Sequence, residues 1–289
     1  MPFVQSNGIR LYHDSFGDPD APPMVMVMGL GAQLLGWPEE FCELLAGRGF
    51  HVIRFDNRDV GLSQWLDDLG DVDLPGLMSG DLSTVRYRLS DMVDDLAGLI
   101  GALGLAPVHL VGASMGAGIS QQLAVDSPEL VRSLASIMST TSDRSVGQST
   151  LEDPAALAVP PGADRATAIA AEARLHRVIG SPGGETSDEE LTRRATVAHD
   201  RAHHPAGMFR QLAANATAPD RTEALRTVRV PTAVIHGEDD PLVNVSGGRA
   251  VAAAVPGAEL TVIPGMGHDL PEFAWERIVD AVVANAARA

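Results

Sequence analysis

The stretch VHLVGASMGAGISQQLA, Val108–Ala124, places a lone serine between two glycines, at the point where an apolar run gives way to a helical pattern. Its centre, GASMG at residues 112–116, matches the G-x-S-x-G pattern of a nucleophile elbow, a sharp turn from a strand into a helix. The residues two before and two after the serine must be small there, since larger side chains would collide with the neighbouring strand and helix. A serine that serves only packing is the alternative. The position between a strand and a helix favours Ser114 as a nucleophile.

A serine hydroxyl is a poor nucleophile without a base, so the rest of the chain must supply one. For an elbow serine the expected chain order is Ser, then Asp or Glu, then His. An acidic loop, HGEDDP at residues 236–241, and a glycine-rich loop, GMGH at residues 265–268, each follow an apolar run that predicts a strand. We therefore expect both loops at the carboxyl edge of the sheet, beside Ser114, where open α/β sheets place their sites.

Three carboxylates compete within the acidic loop, and we assign the catalytic acid to Asp240. Asp239 and Glu238 are interpreted as solvated loop carboxylates. We assign the base to His268, because a glycine-rich loop at a strand end lets an imidazole reach across the site. His236 is expected to order the acidic loop. The histidines within or beside predicted strands are interpreted as structural: His13, His51 and His109.

Serine chemistry also needs backbone N–H groups that hold a developing oxyanion. The segment MGLG at residues 28–31 follows a predicted strand, and Leu30 would supply one amide. Met115, at the start of the helix behind Ser114, would supply the other, and the helix N-terminus itself favours negative charge. Leu30 and Met115 are therefore the predicted oxyanion donors.

Two other motifs suggest different chemistry. The segment GLG at residues 29–31, with Asp56 ending the next predicted strand, could open a dinucleotide-binding unit, but position 34 is Leu34 and not the third glycine. His199 and His203 have the i, i+4 spacing of a zinc site, but no Glu stands between them and no third ligand is evident. A solvated histidine face explains them better. The sequence thus implies neither a cofactor nor a metal.

Strand and helix patterns alternate along the chain, which predicts an α/β fold with a mostly parallel central sheet and helices on both faces. The pair Asn7-Gly8 predicts an opening hairpin. The predicted strands are Phe3–Ser6, Ile9–Ser15, Met24–Met28, His51–Phe55, Val108–Val111, Val131–Met138, Thr232–Ile235 and Leu260–Ile263. The predicted helices are Pro38–Gly47, Leu89–Leu103, one after Ser114 and one from Pro271.

The alternation breaks between about residues 140 and 225, which are rich in Ala, Arg and Glu and show no clear strand. We expect a helical insertion on the carboxyl edge of the sheet, with turns at Pro160–Gly162 and Ser181–Gly184. The predicted domains are thus a core of residues 1–139 and 226–289 and a helical cap of residues 140–225, with approximate boundaries.

Composition limits the partners and the compartment. A net charge of −17 would repel nucleic acid and anionic membrane surfaces. Cys42 is the only cysteine, so an intramolecular disulfide is impossible, which suits a reducing cytoplasm. The N-terminus lacks the apolar region of a signal peptide, and no apolar run approaches the roughly 20 residues that cross a bilayer. We therefore expect a cytoplasmic protein that acts on a small molecule, with no nucleic-acid or membrane partner.

These residues together resemble the α/β-hydrolase superfamily and, within it, the branch of aclacinomycin methylesterase and related actinobacterial esterases and lipases. The resemblance rests on Val27–Gly29, Gly36–Phe41, His51–Ser63, Gly112–Gly116 and Ile263–His268. It covers nearly the whole chain outside the insertion. It implies an α/β-hydrolase fold with a helical cap, Ser114, Asp240 and His268 as a catalytic triad, and Leu30 and Met115 as oxyanion donors. It also implies that Asp56 and Arg58 brace the loop beside the site.

The expected function is a serine carboxylesterase that cleaves a small-molecule ester through an acyl-enzyme. One alternative is a methylesterase for a polyketide-type substrate, although the insertion shows no clear match to the cap of that enzyme. Lyase, C–C hydrolase and perhydrolase reactions also use this triad. A second alternative is a non-catalytic small-molecule receptor with the same fold, which turnover would distinguish.

Overall fold

Eight strands form one mixed sheet within residues 2–151, 163–182 and 186–289, the part of the chain that the computed structural model describes. The strand order is β1-β2-β4-β3-β5-β6-β7-β8. Their bounds are β1 Phe3–Ser6, β2 Ile9–Phe16, β3 Pro23–Val27, β4 His51–Phe55, β5 Val108–Ala113, β6 Val131–Ile137, β7 Thr232–Gly237 and β8 Glu259–Ile263. The sheet is parallel from β4 to β8 and antiparallel where β2 pairs with β1 and β4. The predicted fold class is confirmed.

The hairpin between β1 and β2 turns at Asn7 and Gly8, as predicted. Both residues have positive φ, at 46° and 79°. Two-residue hairpin turns of this kind match the right-handed twist of the strands and favour Asn-Gly. The hairpin adds the antiparallel edge to a sheet that is otherwise parallel.

Helices cover both faces of the sheet, and further helices come from the segment between β6 and β7. Their bounds are α1 Glu39–Gly47, α2 Leu74–Met78, α3 Leu89–Ala102, α4 Met115–Asp126, α5 Arg165–Ile179, α6 Asp188–Arg201, α7 Pro205–Ala216, α8 Thr222–Leu225, α9 Ser246–Ala254 and α10 Trp275–Ala286. Helices α3, α4 and α9 contribute to the apolar cluster on one face, and α1 and α10 contribute to the cluster on the other.

The sequence of β3 is a continuous apolar run, rather than an alternating one, because both faces of the strand are covered. Val25 and Val27 pack in the cluster with α3 and α4, whereas Met24 and Met26 pack in the cluster with α1 and α10. All four side chains are fully buried. A strand covered on both faces gains roughly 1.5–3 kcal/mol for each large apolar side chain it buries, whichever way that side chain points. The parallel register brings the carboxyl ends of β3, β5, β7 and β8 to one edge.

The segment between β6 and β7 supplies helices α5 to α8 and contains no strand among its described residues. We call these four the insertion helices. The turn expected at Pro160–Gly162, and Gly183 and Gly184 of the second expected turn, lie outside the described residues. The division into a core and a cap at residues 139/140 and 225/226 stays a prediction.

Candidate active site

Ser114 lies at the turn between β5 and α4 in a conformation that the flanking glycines make possible. Its φ of 53° and ψ of −121° are unusual for a residue with a side chain and cost of order 1–3 kcal/mol. A Cβ at Gly112 would lie 2.5 Å from Ala117 Cα, and a Cβ at Gly116 would overlap the carbonyl oxygen of Val27. The close packing that the sequence predicted for the two glycines is present. The strained turn lifts Ser114 Oγ above the edge of the sheet.

The structure brings Ser114, His268 and Asp240 into one hydrogen-bonded chain. His268 Nε2 lies 3.0 Å from Ser114 Oγ, and His268 Nδ1 lies 2.7 Å from Asp240 Oδ2. An ionised carboxylate only accepts hydrogen bonds, so the Nδ1–H of His268 donates to Asp240. Nε2 is then free to accept from the serine hydroxyl. The His268 imidazole can therefore act as a base toward the Ser114 hydroxyl, and Asp240 holds the ring in the orientation that this requires.

Asp240 is buried and nevertheless ionised. Burial by itself raises the pKa of this carboxyl, but hydrogen bonds with His236 and His268 outweigh it and lower the pKa to about 2. Its second oxygen accepts the backbone N–H groups of Leu242 and Val243 at 2.9 and 2.8 Å. His236 in turn lies 2.7 Å from the Val243 carbonyl oxygen through Nε2. The loop thus holds the carboxylate in one orientation with His236 behind it.

The loop that carries His268 is tightly packed against the end of α5. The His268 N–H donates to the carbonyl oxygen of Ile179 at 2.7 Å, and the Gly267 N–H donates to Ser181 Oγ at 2.9 Å. A Cβ at Gly267 would lie 2.5 Å from the carbonyl oxygen of Gly180. The segment at the end of α5 therefore fixes the backbone that leads into the His268 imidazole.

The segment of residues 29–31, which we call the oxyanion loop, lies directly against Ser114. A Cβ at Gly29 would be 3.1 Å from Ser114 Cβ. Within the described residues, the N–H groups of Leu30 and Met115 donate to no protein acceptor. Among the described residues both amides therefore lack a protein acceptor, and their role as oxyanion donors stays a prediction.

The residues just after β4 form buried ion pairs. Arg58 donates to both carboxylate oxygens of Asp95 at 2.5 and 2.7 Å. Asp56 accepts the N–H groups of Leu34 and Leu62 at 2.7 and 2.9 Å. These contacts brace the loop beside Ser114, so the structural role expected for Asp56 and Arg58 fits their surroundings.

Sequence reasoning missed the contribution of α7 to this region. Arg210 pairs with both oxygens of Asp59 at 2.8 Å, and Gln211 contacts the oxyanion loop. A signal was present, because Gly207, Arg210, Gln211 and Ala214 recur at helical spacing and are buried together. Two long polar side chains among small residues on one helix stripe indicate buried polar partners.

The two motifs that suggested other chemistry are the histidine pair His199 and His203 and the glycine segment of residues 29–31. His199 and His203 stack with ring centroids 4.3 Å apart, rather than converging on a common point. In the described parts of the chain, no group of three His, Cys, Asp or Glu side chains could hold a metal ion. Gly29 faces Ser114, Gly31 faces Met208, and Asp56 is fully buried with protein partners. Among the helices that the structure describes, none has the length and apolar character to cross a bilayer.

The sheet order, the elbow and the position of the acid and histidine loops define a class, and comparison with known proteins identifies it. The chain belongs to the α/β-hydrolase family, because the family model described as "alpha/beta hydrolase fold" matches residues 22–274. At this coarse level the protein is a hydrolase of the α/β fold family. The resemblance inferred from the sequence is confirmed.

Individual relatives are distant but cover the whole chain. Rhodomycin D methylesterase DauP of Streptomyces sp. strain C5 is 25% identical over 305 residues, which span 98% of this chain and 96% of that protein. The enol-lactonase from Burkholderia xenovorans LB400 superimposes with a TM-score of 0.77 at 21% identity, covering 99% of this chain and 100% of that one. Est816, described as an N-acyl homoserine lactone degrading enzyme, gives a TM-score of 0.70 at 23% identity, with 99% and 98% covered. The two structures support the fold alone.

Proposed function

We propose that the protein is a carboxylic ester hydrolase that works through an acyl-enzyme on Ser114. The observation that carries this proposal is the unbroken chain from Ser114 Oγ through the His268 ring to an ionised Asp240. Nucleophile, base and orienting acid each lie within hydrogen-bond distance of the next, as this chemistry requires.

In the first half of the proposed reaction, Ser114 Oγ attacks the ester carbonyl carbon. His268 Nε2 accepts the hydroxyl proton as the bond forms. Asp240 stabilises the imidazolium through Nδ1 and keeps the ring in the tautomer that can accept at Nε2. His268 then donates the proton from Nε2 to the leaving alcohol, and Ser114 is left acylated.

The tetrahedral intermediate places a negative charge on the former carbonyl oxygen. The N–H groups of Leu30 and Met115 are the proposed donors to it, since neither donates to an acceptor among the described residues, Met115 follows Ser114, and Leu30 follows Gly29, which packs against Ser114. Removing one such donor typically costs about 2.7–4 kcal/mol of transition-state stabilisation. The N-terminus of α4 adds favourable electrostatics at the same point.

In the second half, His268 activates a water that attacks the acyl carbon. The same two N–H groups hold the second tetrahedral intermediate, which collapses to release the acid and restore Ser114. No bound metal or organic cofactor takes part in this proposed cycle.

A methylesterase is the second candidate, and one observation favours it. The alignment with rhodomycin D methylesterase spans 98% of the chain, so it runs through the insertion helices, which in the proposed domain division form the cap over the site. On this candidate the leaving alcohol is methanol and the acyl part is a polyketide-type molecule. Methanol release from an aromatic methyl ester, compared with hydrolysis of p-nitrophenyl butyrate, would distinguish it from a general carboxylesterase.

Labelling with a fluorophosphonate, followed by intact-mass analysis, tests the proposal. We expect one adduct on the wild type and none on Ser114→Ala, with loss of p-nitrophenyl acetate and butyrate turnover. Ser90→Ala, an exposed serine on α3, is the matched control and should label like the wild type. An adduct that persists on Ser114→Ala would contradict the assignment of the nucleophile. A folded wild type with neither adduct nor turnover would favour the receptor alternative.

A further inference from the structure

The oxyanion loop is held by one side chain from the insertion helices. The Gly31 N–H donates to Gln211 Oε1 at 2.8 Å, and Gln211 Nε2 donates to the carbonyl oxygen of Arg58 at 2.6 Å. Gln211 is fully buried on α7. The amide therefore bridges the oxyanion loop and the loop that follows β4.

The two contacts fix the orientation of the Gln211 amide. Its oxygen faces a group that can only donate, and its nitrogen faces a group that can only accept. Reversing the amide would leave both buried backbone groups unpaired, which costs free energy for each. The far anchor is rigid as well, because the Arg58 guanidinium is paired in two places with the buried Asp95.

We propose that Gln211 is a positioning residue for the oxyanion hole, an inference that rests on the proposed function of Ser114. Gly31 has a φ of 68°, in the left-handed region that glycine adopts freely, so backbone sterics alone do not hold the Leu30–Gly31 peptide in one orientation. By accepting from Gly31, Gln211 fixes the peptide that follows Leu30. It also occupies the Gly31 N–H, so the Leu30 N–H is the one donor of that pair left for an oxyanion. Helix α7 thereby sets the geometry of the transition-state site.

A second buried glutamine in the same region offers a matched control. Gln33 Nε2 donates to the carbonyl oxygens of Ala198 and Ala202 at 2.7 and 2.8 Å. Gln33 Oε1 accepts from Arg201 at 2.6 Å. Gln33 thus ties the same stretch of chain to the insertion helices, but it makes no hydrogen bond to residues 29–31. Loss of its side-chain amide removes buried hydrogen bonds without releasing the Gly31 N–H.

The experiment compares Gln211→Leu, Gln211→Glu and Gln33→Leu with the wild type. The readouts are kcat and KM for p-nitrophenyl butyrate, the affinity for an alkyl boronic acid that forms a tetrahedral adduct on serine, and the melting temperature. Gln211→Glu keeps an oxygen where Gly31 donates but loses the donor to Arg58. Because it places a carboxylate beside a carbonyl, we expect it to be at least as destabilised as Gln211→Leu.

We expect Gln211→Leu to lower kcat by about 10- to 100-fold, below the 10²–10³-fold that typically follows removal of an oxyanion donor itself. Its boronic-acid affinity should fall in parallel, while KM stays within about twofold. Gln211→Glu should retain kcat within about fivefold of the wild type despite its lower melting temperature. Gln33→Leu should lose stability but keep kcat and boronic-acid affinity.

Two results would overturn the inference. If kcat follows the melting temperature across the three variants, Gln211 has only a structural role. If Gln211→Leu matches the wild type in kcat and boronic-acid affinity, the Gly31 contact does not set the oxyanion hole. Both leave the proposed function intact, since the wild type is active in each. A wild type without turnover or adduct would instead remove the proposed function and this inference together.

Discussion

The oxyanion side and the histidine side of the site are both joined to the insertion helices, but by different kinds of contact. On the oxyanion side, α7 uses buried polar side chains, chiefly Arg210 on Asp59 and Gln211 on Gly31. On the histidine side, the end of α5 offers mainly a backbone carbonyl, that of Ile179, to the His268 N–H. Side-chain contacts can be removed by substitution, whereas a backbone contact survives it. The oxyanion side should therefore be far more sensitive to mutation within the insertion helices than the histidine side.

The largest expected effect lies on the histidine side but outside the insertion helices. Asp240→Asn would place an amide against His268 Nδ1 and favour the tautomer that cannot accept the serine proton. We expect kcat for p-nitrophenyl butyrate to fall about 10⁴-fold, as in serine proteases that lose this carboxylate. Steady-state kinetics measures it, with Glu238→Gln, an exposed carboxylate in the same loop, as the control. A comparable loss in Glu238→Gln, with Asp240→Asn active, would reassign the acid.

The next effect concerns stability on the oxyanion side. Arg210→Met removes the charge from a pair whose side chains are at most 1% exposed, which leaves Asp59 buried without its partner. Breaking a buried pair in this way costs about 3–5 kcal/mol of unfolding free energy. Urea unfolding followed by circular dichroism measures the change. Arg193→Met, which removes an exposed pair with Glu190 on α6, should leave the unfolding free energy unchanged. Equal stability of the two variants would show that α7 is not anchored through Arg210.

The depressed pKa of Asp240 predicts a pH-dependent stability. Because the carboxyl pKa falls from about 4 in the unfolded chain to about 2 in the folded protein, its ionised form stabilises the fold by of order 2 kcal/mol. This contribution is complete above about pH 4 and is lost as the pH falls through 2. The difference in unfolding free energy between wild type and Asp240→Asn should therefore be constant near neutrality and shrink between about pH 4 and 2. A difference that stays constant down to pH 2 would contradict the ionised, hydrogen-bonded carboxylate.

The smallest expected effect concerns Ser181, which lies just after the end of α5. Ser181→Ala removes the hydroxyl that accepts from the Gly267 N–H, but the backbone bond from His268 to Ile179 remains. We expect a loss of about 0.5–1.5 kcal/mol in stability and less than a tenfold fall in kcat. Chemical unfolding and steady-state kinetics measure both. A fall in kcat larger than that of Gln211→Leu would reverse the comparison between the two sides.

The core strands and the elbow at Ser114 were predictable because their signals are local. A few neighbouring residues are enough to predict each of three features: the buried strand β3, the hairpin turn at Asn7-Gly8 and the elbow around Ser114. Strand ends were less certain: the predicted β5 ended at Val111, but parallel pairing with β6 continues to Ala113. Where a strand ends depends on its hydrogen-bonded pairing with the neighbouring strand. The sequence of one strand alone does not give that pairing.

The contacts of α7 were not predictable in the same way. Arg210 and Asp59 are 151 residues apart in the sequence, and the residues around each give no indication that the two form an ion pair. The buried face of α3 and α10 is mostly apolar, whereas on α7 the buried residues are polar or small and Leu212 is exposed. The spacing of polar and small residues on α7 indicates a buried polar face, but it does not identify the partners of Arg210 and Gln211.

The most direct test of the account is to locate the acyl group during turnover. Wild-type protein quenched in acid within the first turnover of p-nitrophenyl butyrate would be digested and fragmented in a mass spectrometer. We expect a butyryl group on Ser114, within the peptide that also carries Ser90 and Ser120 as internal controls, and, where deacylation is the slower step, a burst of p-nitrophenol that approaches the enzyme concentration. A butyryl group on another residue, with Ser114 unmodified, would contradict Ser114 as the nucleophile.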